Sequence, residues 1–222
     1  DLIEAGTVDL ELAAFMMSRI VQGASFFVGA RPGGAGKTTV MCALLNLIPA
    51  GCEIVAATPA QVREVEGRDA AERKCYVCHE IGAGPYFAYL WNGDLVSYCS
   101  LGSRGQILAT NLHADDLDEA RQQICVTNGV PVSDFQRFGF AVFLRVRGAL
   151  RWIEDVYVSD GMSPHCLAFD RRSGLIARRI SEGPYSHALC LDFLQETLRK
   201  GVRTMEETRR EVLEFMLRRV SR

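Results

Sequence analysis

The chain has 222 residues, of which 48% are hydrophobic and 23% are charged, so it can bury a substantial core without disulfides or metals. These proportions exclude a generally disordered protein, and the formal net charge of −2 gives no electrostatic reason to expect nucleic acid as a partner. No apolar run is long enough for a membrane-spanning helix, and the first residues lack the pattern of a signal peptide. The composition therefore predicts a soluble, cytoplasmic α/β protein.

The first elements follow one another closely along the chain. Residues 10–20 repeat apolar side chains at helical spacing after Thr7-Val8-Asp9, a stretch that can supply a helix cap. Residues 24–29 form a short apolar strand, residues 31–36 form a loop rich in glycine, and residues 37–47 are again helical. The order predicted here is therefore helix, strand, glycine loop and helix.

Later strands alternate with helical patterns, which predicts parallel pairing and a sheet covered on both faces. The predicted strands are residues 52–57, 75–79, 106–111, 141–146 and 151–158. Near the end, Thr204 and Glu207 have the spacing of a capping box that opens a last helix. The aromatic stretch 86–98 allows two interpretations, since Asn92-Gly93 is typical of a hairpin turn whereas the family resemblance described below implies helix.

Eight cysteines are scattered through apolar stretches, which in a chain of this length indicates reduced and mostly buried thiols. Cys75 and Cys78 have the spacing of a zinc or redox site, but no second pair lies at ligand spacing, and His165-Cys166 is the only nearby cluster. Strand alternation explains the two cysteines without a metal.

The glycine loop carries the strongest chemical signal. Its glycines let backbone N–H groups face phosphate oxygens at the start of a helix. Lys37 is positioned to reach the β- and γ-phosphates of ATP, Thr38 to ligate Mg²⁺, and Thr39 to contact the α-phosphate. The predicted nucleotide-binding residues are Gly33, Gly34, Ala35, Gly36, Lys37, Thr38 and Thr39. Arg31 stands where the full motif has its first glycine, which predicts a loop entry of different shape.

Several further stretches, in the order and spacing found there, resemble the secretion and traffic ATPases of type II and type IV secretion, type IV pili and archaeal filaments. These stretches are residues 2–8, 43–49, Cys78-His79-Glu80-Ile81, Asn111-Leu112-His113-Ala114 and Ile153-Glu154-Asp155-Val156. The resemblance implies a RecA-like P-loop core in residues 1–160 and a mainly helical extension packed on it in residues 161–222. It also implies that the family's N-terminal domain is absent, because the chain begins too near the loop to contain it.

The same resemblance implies catalytic roles for two residues. Glu80 would orient water or the Mg²⁺ shell at the γ-phosphate, and His113 would sense the γ-phosphate and couple it to neighbouring subunits. Without the family, each has an ordinary structural explanation, as a solvated strand-end carboxylate and a structural histidine. The implied assembly is a homo-hexamer in the full-length context, working with membrane-embedded secretion or pilus platform proteins at the inner face of the cell membrane.

The chain also departs from the family in ways that bear on turnover. Residues 54–60 contain no carboxylate where the family has an acidic box, and His79 precedes Glu80 where the family has glycine. Two functions therefore stay open, an ATP-hydrolysing motor subunit and a nucleotide-binding regulatory or structural subunit with weak catalysis. A GTPase is disfavoured because Asn-Lys-x-Asp is missing, and a small-molecule kinase has only Arg171-Arg172 and Arg178-Arg179 as candidates for an arginine-rich lid.

Overall fold

The computed structural model describes residues 2–67, 72–175 and 184–220. The helices are α1 (Leu10–Ile20), α2 (Lys37–Leu45), α3 (Pro59–Val65), α4 (Asn92–Ser103), α5 (Leu117–Arg121), which continues as a π-helical turn (Gln122–Thr127), α6 (Val132–Phe135), α7 (His187–Arg199) and α8 (Met205–Val220). The strands are β1 (Ser25–Gly29), β2 (Glu53–Ala56), β3 (Lys74–Ile81), β4 (Tyr89–Leu90), β5 (Ile107–Leu112), β6 (Phe138–Arg147), β7 (Leu150–Val158), β8 (Cys166–Asp170) and β9 (Gly174–Leu175).

The strands form one sheet in the order β2-β3-β5-β1-β6-β7-β8-β9, with β4 paired to β3. Pairing is parallel from β2 to β6 and antiparallel from β6 to β9. The predicted α/β class with a mostly parallel sheet flanked by helices is confirmed. Parallel pairing is wrong for the strand at 151–158, because a tight turn rather than a crossover helix joins β6 to β7, and two strands joined by such a turn must run antiparallel.

Helices cover both faces of the sheet. β1 is buried along its whole length, and its side chains alternate, with Phe26 and Val28 in the cluster beneath α1 and α2 and Phe27 in the cluster beneath α3 to α6. The outer side of α1 packs in turn against α7 and α8 through a third cluster that includes Met17, Cys190 and Val212. The glycine loop therefore follows a strand that is buried along its whole length.

Local signals set several helix ends as predicted. Asp9 accepts a hydrogen bond from the Leu12 N–H at 2.7 Å and caps α1. The capping box at α8 is confirmed, since Thr204 Oγ1 accepts from the Glu207 N–H and Glu207 Oε2 accepts from the Thr204 N–H.

The sheet continues past residue 160 through β8 and β9 before α7 and α8, and the division of the chain at that position stays a prediction. No helix within the described residues is long and apolar enough to cross a bilayer.

The hairpin interpretation of Asn92-Gly93 is wrong, because this dipeptide opens α4. Asn92 has a φ of 50°, and its N–H donates to Asn128 Oδ1 at 2.6 Å. A helix forms here instead of a hairpin because Leu95, Tyr98 and Cys99 recur at helical spacing and all three are fully buried beneath the sheet. Further upstream in the same stretch, Tyr86 and Phe87 stay exposed.

Phe27 contacts three aromatic rings, those of Phe135, Phe138 and Phe143, at centroid distances of 6.0, 5.4 and 5.9 Å. We expect Phe27→Ala to lower the free energy of unfolding by about 3–5 kcal/mol, because Phe27 is fully buried and its removal leaves a cavity in the core. Urea denaturation measures the change. The control is Phe87→Ala, which removes a ring that is 74% exposed and should change stability by less than about 0.5 kcal/mol. Equal losses in the two variants would contradict this account of the core.

Candidate nucleotide-binding site

The glycine loop runs from the carboxyl end of β1 to the start of α2. Gly34 and Gly36 have φ values of 74° and 96°, in the left-handed region that glycine takes without strain. A Cβ placed on Gly33 or Gly34 would meet no atom within 4 Å, so the protein's own packing leaves the inner side of the loop open. Successive backbone N–H groups in such a turn make an anion-binding concavity.

Helix α2 begins directly at this loop. Its first residue is Lys37 and its cap is Gly36, and among the described residues no side chain caps the N–H groups of the first turn. These N–H groups and the positive end of the helix dipole favour a bound anion. Thr38 and Thr39 are exposed on the same turn, where their hydroxyls are open to phosphate oxygens or a metal ion.

The Lys37 side chain is buried and points toward the neighbouring strands. Its Nζ donates to the Ala30 carbonyl oxygen at 3.1 Å and lies 3.2 Å from His113 Nδ1 and 3.6 Å from Glu80 Oε1. The loop, β3 and β5 thus bring together the three residues that the sequence analysis singled out. Parallel strands produce this result, because their carboxyl ends all lie at one edge of the sheet.

A β-bulge sets the direction of Glu80. Cys78 pairs with Thr110 and Ile81 pairs with Leu112, so His79 and Glu80 together face a single residue of β5. An extra residue of this kind bends a strand and redirects its side chains. Cys78 lies in the core beneath α4, whereas Glu80, two residues later, reaches Lys37. Glu80 is only 6% exposed, and its Oε1 makes no hydrogen bond within the described chain.

His113 stands between the loop and Glu80. Its Nδ1 is 3.0 Å from the Arg31 carbonyl oxygen as well as 3.2 Å from Lys37 Nζ, and its Nε2 is 3.8 Å from Glu80 Oε1. An ammonium group only donates, so Nδ1 either accepts from Lys37 or, in its protonated form, donates to Arg31, but not both. The imidazole can therefore respond to any movement of the Lys37 ammonium.

The glycine loop, Lys37, Glu80 and His113 line one cavity of about 450 Å³. Its lining residues are Leu2, Thr7, Gly33, Gly34, Ala35, Gly36, Lys37, Thr38, Thr39, Val40, Glu80, His113 and Arg151. The set fits a nucleotide phosphate chain with Mg²⁺, since it combines backbone donors, a lysine and a hydroxyl oxygen, and since the unsatisfied oxygen of Glu80 is an acceptor of the kind that a metal-bound water needs.

Sequence reasoning missed Arg151, at the start of β7. Its Nε donates to the Gly34 carbonyl oxygen at 2.9 Å and its Nη1 to the Ala149 carbonyl oxygen at 2.9 Å, so the guanidinium lies across the glycine loop. The arginine braces the loop from the side opposite Glu80 and His113, because β6 and β7 lie on the other side of β1 from β5 and β3. No local signal could identify it, since the contact depends on the order of strands in the sheet.

Arg31, which replaces the first glycine of the motif, is held by an ionic network. Its Nε and Nη2 donate to Glu119 at 3.0 and 2.5 Å, and its N–H donates to Asp115 at 2.9 Å. Asp115 also lies 3.1 Å from Arg145 Nη1. Arg31 does not have a positive φ, so the backbone there does not demand glycine. The loop entry is fixed by side chains in this protein.

Thr58, within the stretch 54–60 that contains no carboxylate, has a structural role. Thr58 follows β2 and caps α3, with its Oγ1 accepting from the Gln61 N–H at 3.2 Å. Glu80 is thus the one carboxylate among the described residues that line the cavity. Of the two arginine pairs considered for a kinase lid, Arg178-Arg179 lie outside the described residues, while Arg171 donates to the Gly6 carbonyl oxygen at 3.3 Å.

Cys75 and Cys78 do not face the same space. Cys75 lies in the core cluster beneath α1 and α2, and Cys78 lies in the cluster on the other face of the sheet. Burial raises the pKa of each thiol to about 12, which keeps both protonated at neutral pH. Two thiols on opposite faces of one strand cannot share a metal ion.

No family model matches the chain, and no curated protein is found to match it. Seventeen solved chains match its structure, among them the VirB11 ATPase from the Brucella suis type IV secretion system in complex with sulphate, at 18% identity and a TM-score of 0.47. The match covers 64% of this chain and 50% of that one, so the chain spans about half the length of that ATPase. A likeness of this degree says nothing about the activity, ligands or partners of this chain.

Proposed function

We propose that this chain binds ATP with Mg²⁺ at the glycine loop and hydrolyses it, as a motor subunit with a RecA-like core. The observation that carries the proposal is the meeting of Lys37, Glu80 and His113 beside an open glycine loop, at the carboxyl ends of three neighbouring parallel strands. The link to secretion or filament assembly, and to a cytoplasmic site at a membrane-embedded platform, is supported by the order of the family-like motifs in the sequence.

Each residue has a distinct task in this proposal. The loop N–H groups and the start of α2 hold the phosphates, and Lys37 leaves Glu80 and His113 to reach the terminal phosphate oxygens. Thr38 supplies an oxygen ligand for Mg²⁺, which offsets phosphate charge when bound. Glu80, relieved of its ion pair, accepts a hydrogen bond from the attacking water and orients it for in-line displacement. His113 Nδ1 then donates to the Arg31 carbonyl oxygen instead of accepting from Lys37.

The second candidate function is a nucleotide-binding regulatory or structural subunit with weak catalysis. It is favoured by one observation, that Glu80 is the only carboxylate among the described residues that line the cavity, while residues 54–60 supply none. Mg²⁺-dependent phosphate release from ATP, measured at steady state, separates the two functions. Release above the no-protein rate supports the motor, whereas saturable ATP binding without release supports the regulatory subunit.

We expect the chain by itself to associate weakly or not at all, although the proposed motor is a homo-hexamer in its full-length context. In this proposal the subunit contact of the ring is shared between the nucleotide-binding core and a further domain of the family, so the contact made by the core alone is weak. Light scattering with and without a non-hydrolysable ATP analogue measures the mass. A tight dimer that nucleotide does not affect would contradict the ring.

Arg151→Ala should weaken Mg-ATP binding roughly fivefold, or about 1 kcal/mol, because the loop loses its brace at the Gly34 carbonyl oxygen. Calorimetry with a non-hydrolysable analogue measures the affinity. Arg147→Ala removes an equal charge from an exposed position in the same β6–β7 hairpin and serves as the control. A similar loss in both variants would show that Arg151 acts only through its charge.

A further inference from the structure

A second polar cavity, of about 490 Å³, lies at the opposite edge of the sheet from the glycine loop. Ala24 and Ser25 line it at the amino end of β1, whose carboxyl end leads into the loop. At about 3.3 Å per residue, the five residues of β1 separate the two cavities by roughly 15 Å. The two cavities share no lining residue.

Three arginines line this second cavity, Arg19 from α1, Arg73 before β3 and Arg137 before β6. One carboxylate, Asp160, joins them among the described lining residues. Its oxygens already accept from the Met162 and Ser163 N–H groups at 2.9 and 2.7 Å. The described lining residues, three arginines and one aspartate, therefore carry a net charge of about +2.

The Arg19 guanidinium has a hydrogen-bond donor without an acceptor among the described residues. Its Nη2 donates to the Ser159 carbonyl oxygen at 3.1 Å, and its guanidinium lies 5.5 Å from the centre of the Phe140 ring. Its Nε is buried and has no hydrogen-bond partner within the described residues. Burial lowers the pKa of this guanidinium, which stays charged at neutral pH. A buried donor of this kind is stabilised by an anion.

The Arg73 guanidinium is held in place by backbone carbonyl groups of the protein. It donates to the carbonyl oxygens of Gln22, Gly23 and Gly105 at 3.3, 2.8 and 3.0 Å, which uses three of its five N–H donors. A Cβ on Gly23 would come within 2.3 Å of the guanidinium, so glycine is what lets the arginine lie flat on the backbone. The remaining donors are held in a fixed position.

From the meeting of these three arginines in one cavity, we propose a second anion site that binds the phosphate group of a small soluble molecule. A guanidinium group can donate two parallel hydrogen bonds to two oxygens of one phosphate. Three guanidinium groups therefore suit a ligand that carries several charged oxygens. The site is independent of the nucleotide proposal, because it shares no residue with the glycine loop.

Pyrophosphate titration by calorimetry tests the site. The wild-type protein should bind pyrophosphate at two sites, and Lys37→Met should remove the site at the glycine loop while keeping the second one. Arg19→Gln should weaken the second site at least about tenfold, and the exposed Arg137→Ala about fivefold, as lost charge-assisted contacts. If the glycine loop does not bind pyrophosphate, the wild type shows one site, and the two arginine variants still weaken it.

Arg147→Ala is the control, since it removes one exposed arginine away from this cavity. Circular dichroism checks the fold of each variant, and Arg137→Ala decides the test if Arg19→Gln does not fold. If the Lys37→Met variant shows no saturable pyrophosphate binding at concentrations up to about 10 mM, the proposal is overturned. An equal effect of Arg137→Ala and Arg147→Ala would overturn it as well, because net charge alone would then account for the binding.

Discussion

Replacing Glu80 with glutamine is expected to lower ATP turnover by about 100-fold, the range typical of a lost general base. ATP affinity should stay the same or improve. A buried carboxylate beside the γ-phosphate repels the bound anion and helps only by ordering water in the transition state, so its charge matters for turnover more than for binding. Steady-state phosphate release gives the rate, and calorimetry with a non-hydrolysable analogue gives the affinity.

The matched control is Glu53→Gln at the exposed edge strand β2, where the carboxylate pairs with Lys74 at 2.5 Å. Both substitutions remove one negative charge from a strand and keep the shape of the side chain, but Glu53 lies far from the glycine loop in the sheet order. If wild type hydrolyses ATP no faster than Glu80→Gln, the site is catalytically silent and the regulatory-subunit proposal replaces the motor.

Lys37→Ala is expected to weaken Mg-ATP binding at least about tenfold, which corresponds to about 1.4 kcal/mol. The variant loses a charge-assisted contact to the phosphates, and Glu80 loses its buried ion pair at 3.6 Å. Turnover should fall further than affinity, because the negative charge that develops on the phosphates has no lysine to meet it. Steady-state phosphate release again gives the rate, and calorimetry with a non-hydrolysable analogue gives the affinity.

Lys74→Ala serves as the control, since it removes a lysine from an exposed ion pair at the amino end of β3, away from the loop. Thermal unfolding of both variants shows whether the uncompensated carboxylate of Glu80 disturbs the fold. Unchanged ATP affinity in a folded Lys37→Ala variant would remove the central claim, that the glycine loop holds the phosphates.

Much of the fold could be predicted from the sequence because the signals were local. Asp9 caps the helix that follows it, the glycine loop lies between an apolar strand and a helix, and Thr204 with Glu207 forms the capping box of α8. Each of these features depends on residues within a few positions of one another. The loop motif and the resemblance to secretion ATPases also predicted roles for Lys37, Glu80 and His113; the structure places these three side chains together, and their roles stay predictions.

The tertiary structure decided two features that local sequence patterns do not determine, the helix at Asn92-Gly93 and the bulge in β3. Asn92-Gly93 is typical of a hairpin but opens a helix, because burial of Leu95, Tyr98 and Cys99 outweighs the preference of a dipeptide. The bulge in β3 depends on its register with β5, and Glu80, which lies in this bulge, reaches Lys37.

Arg151 reaches the glycine loop only because β7 follows β6 beside β1. The three arginines of the second cavity stand at positions 19, 73 and 137 and meet only at the sheet edge. By itself, the sequence determined the helix caps, the glycine loop and the apolar strands, since neighbouring residues fix these. Contacts between distant residues depend on strand order and register, which long-range packing sets.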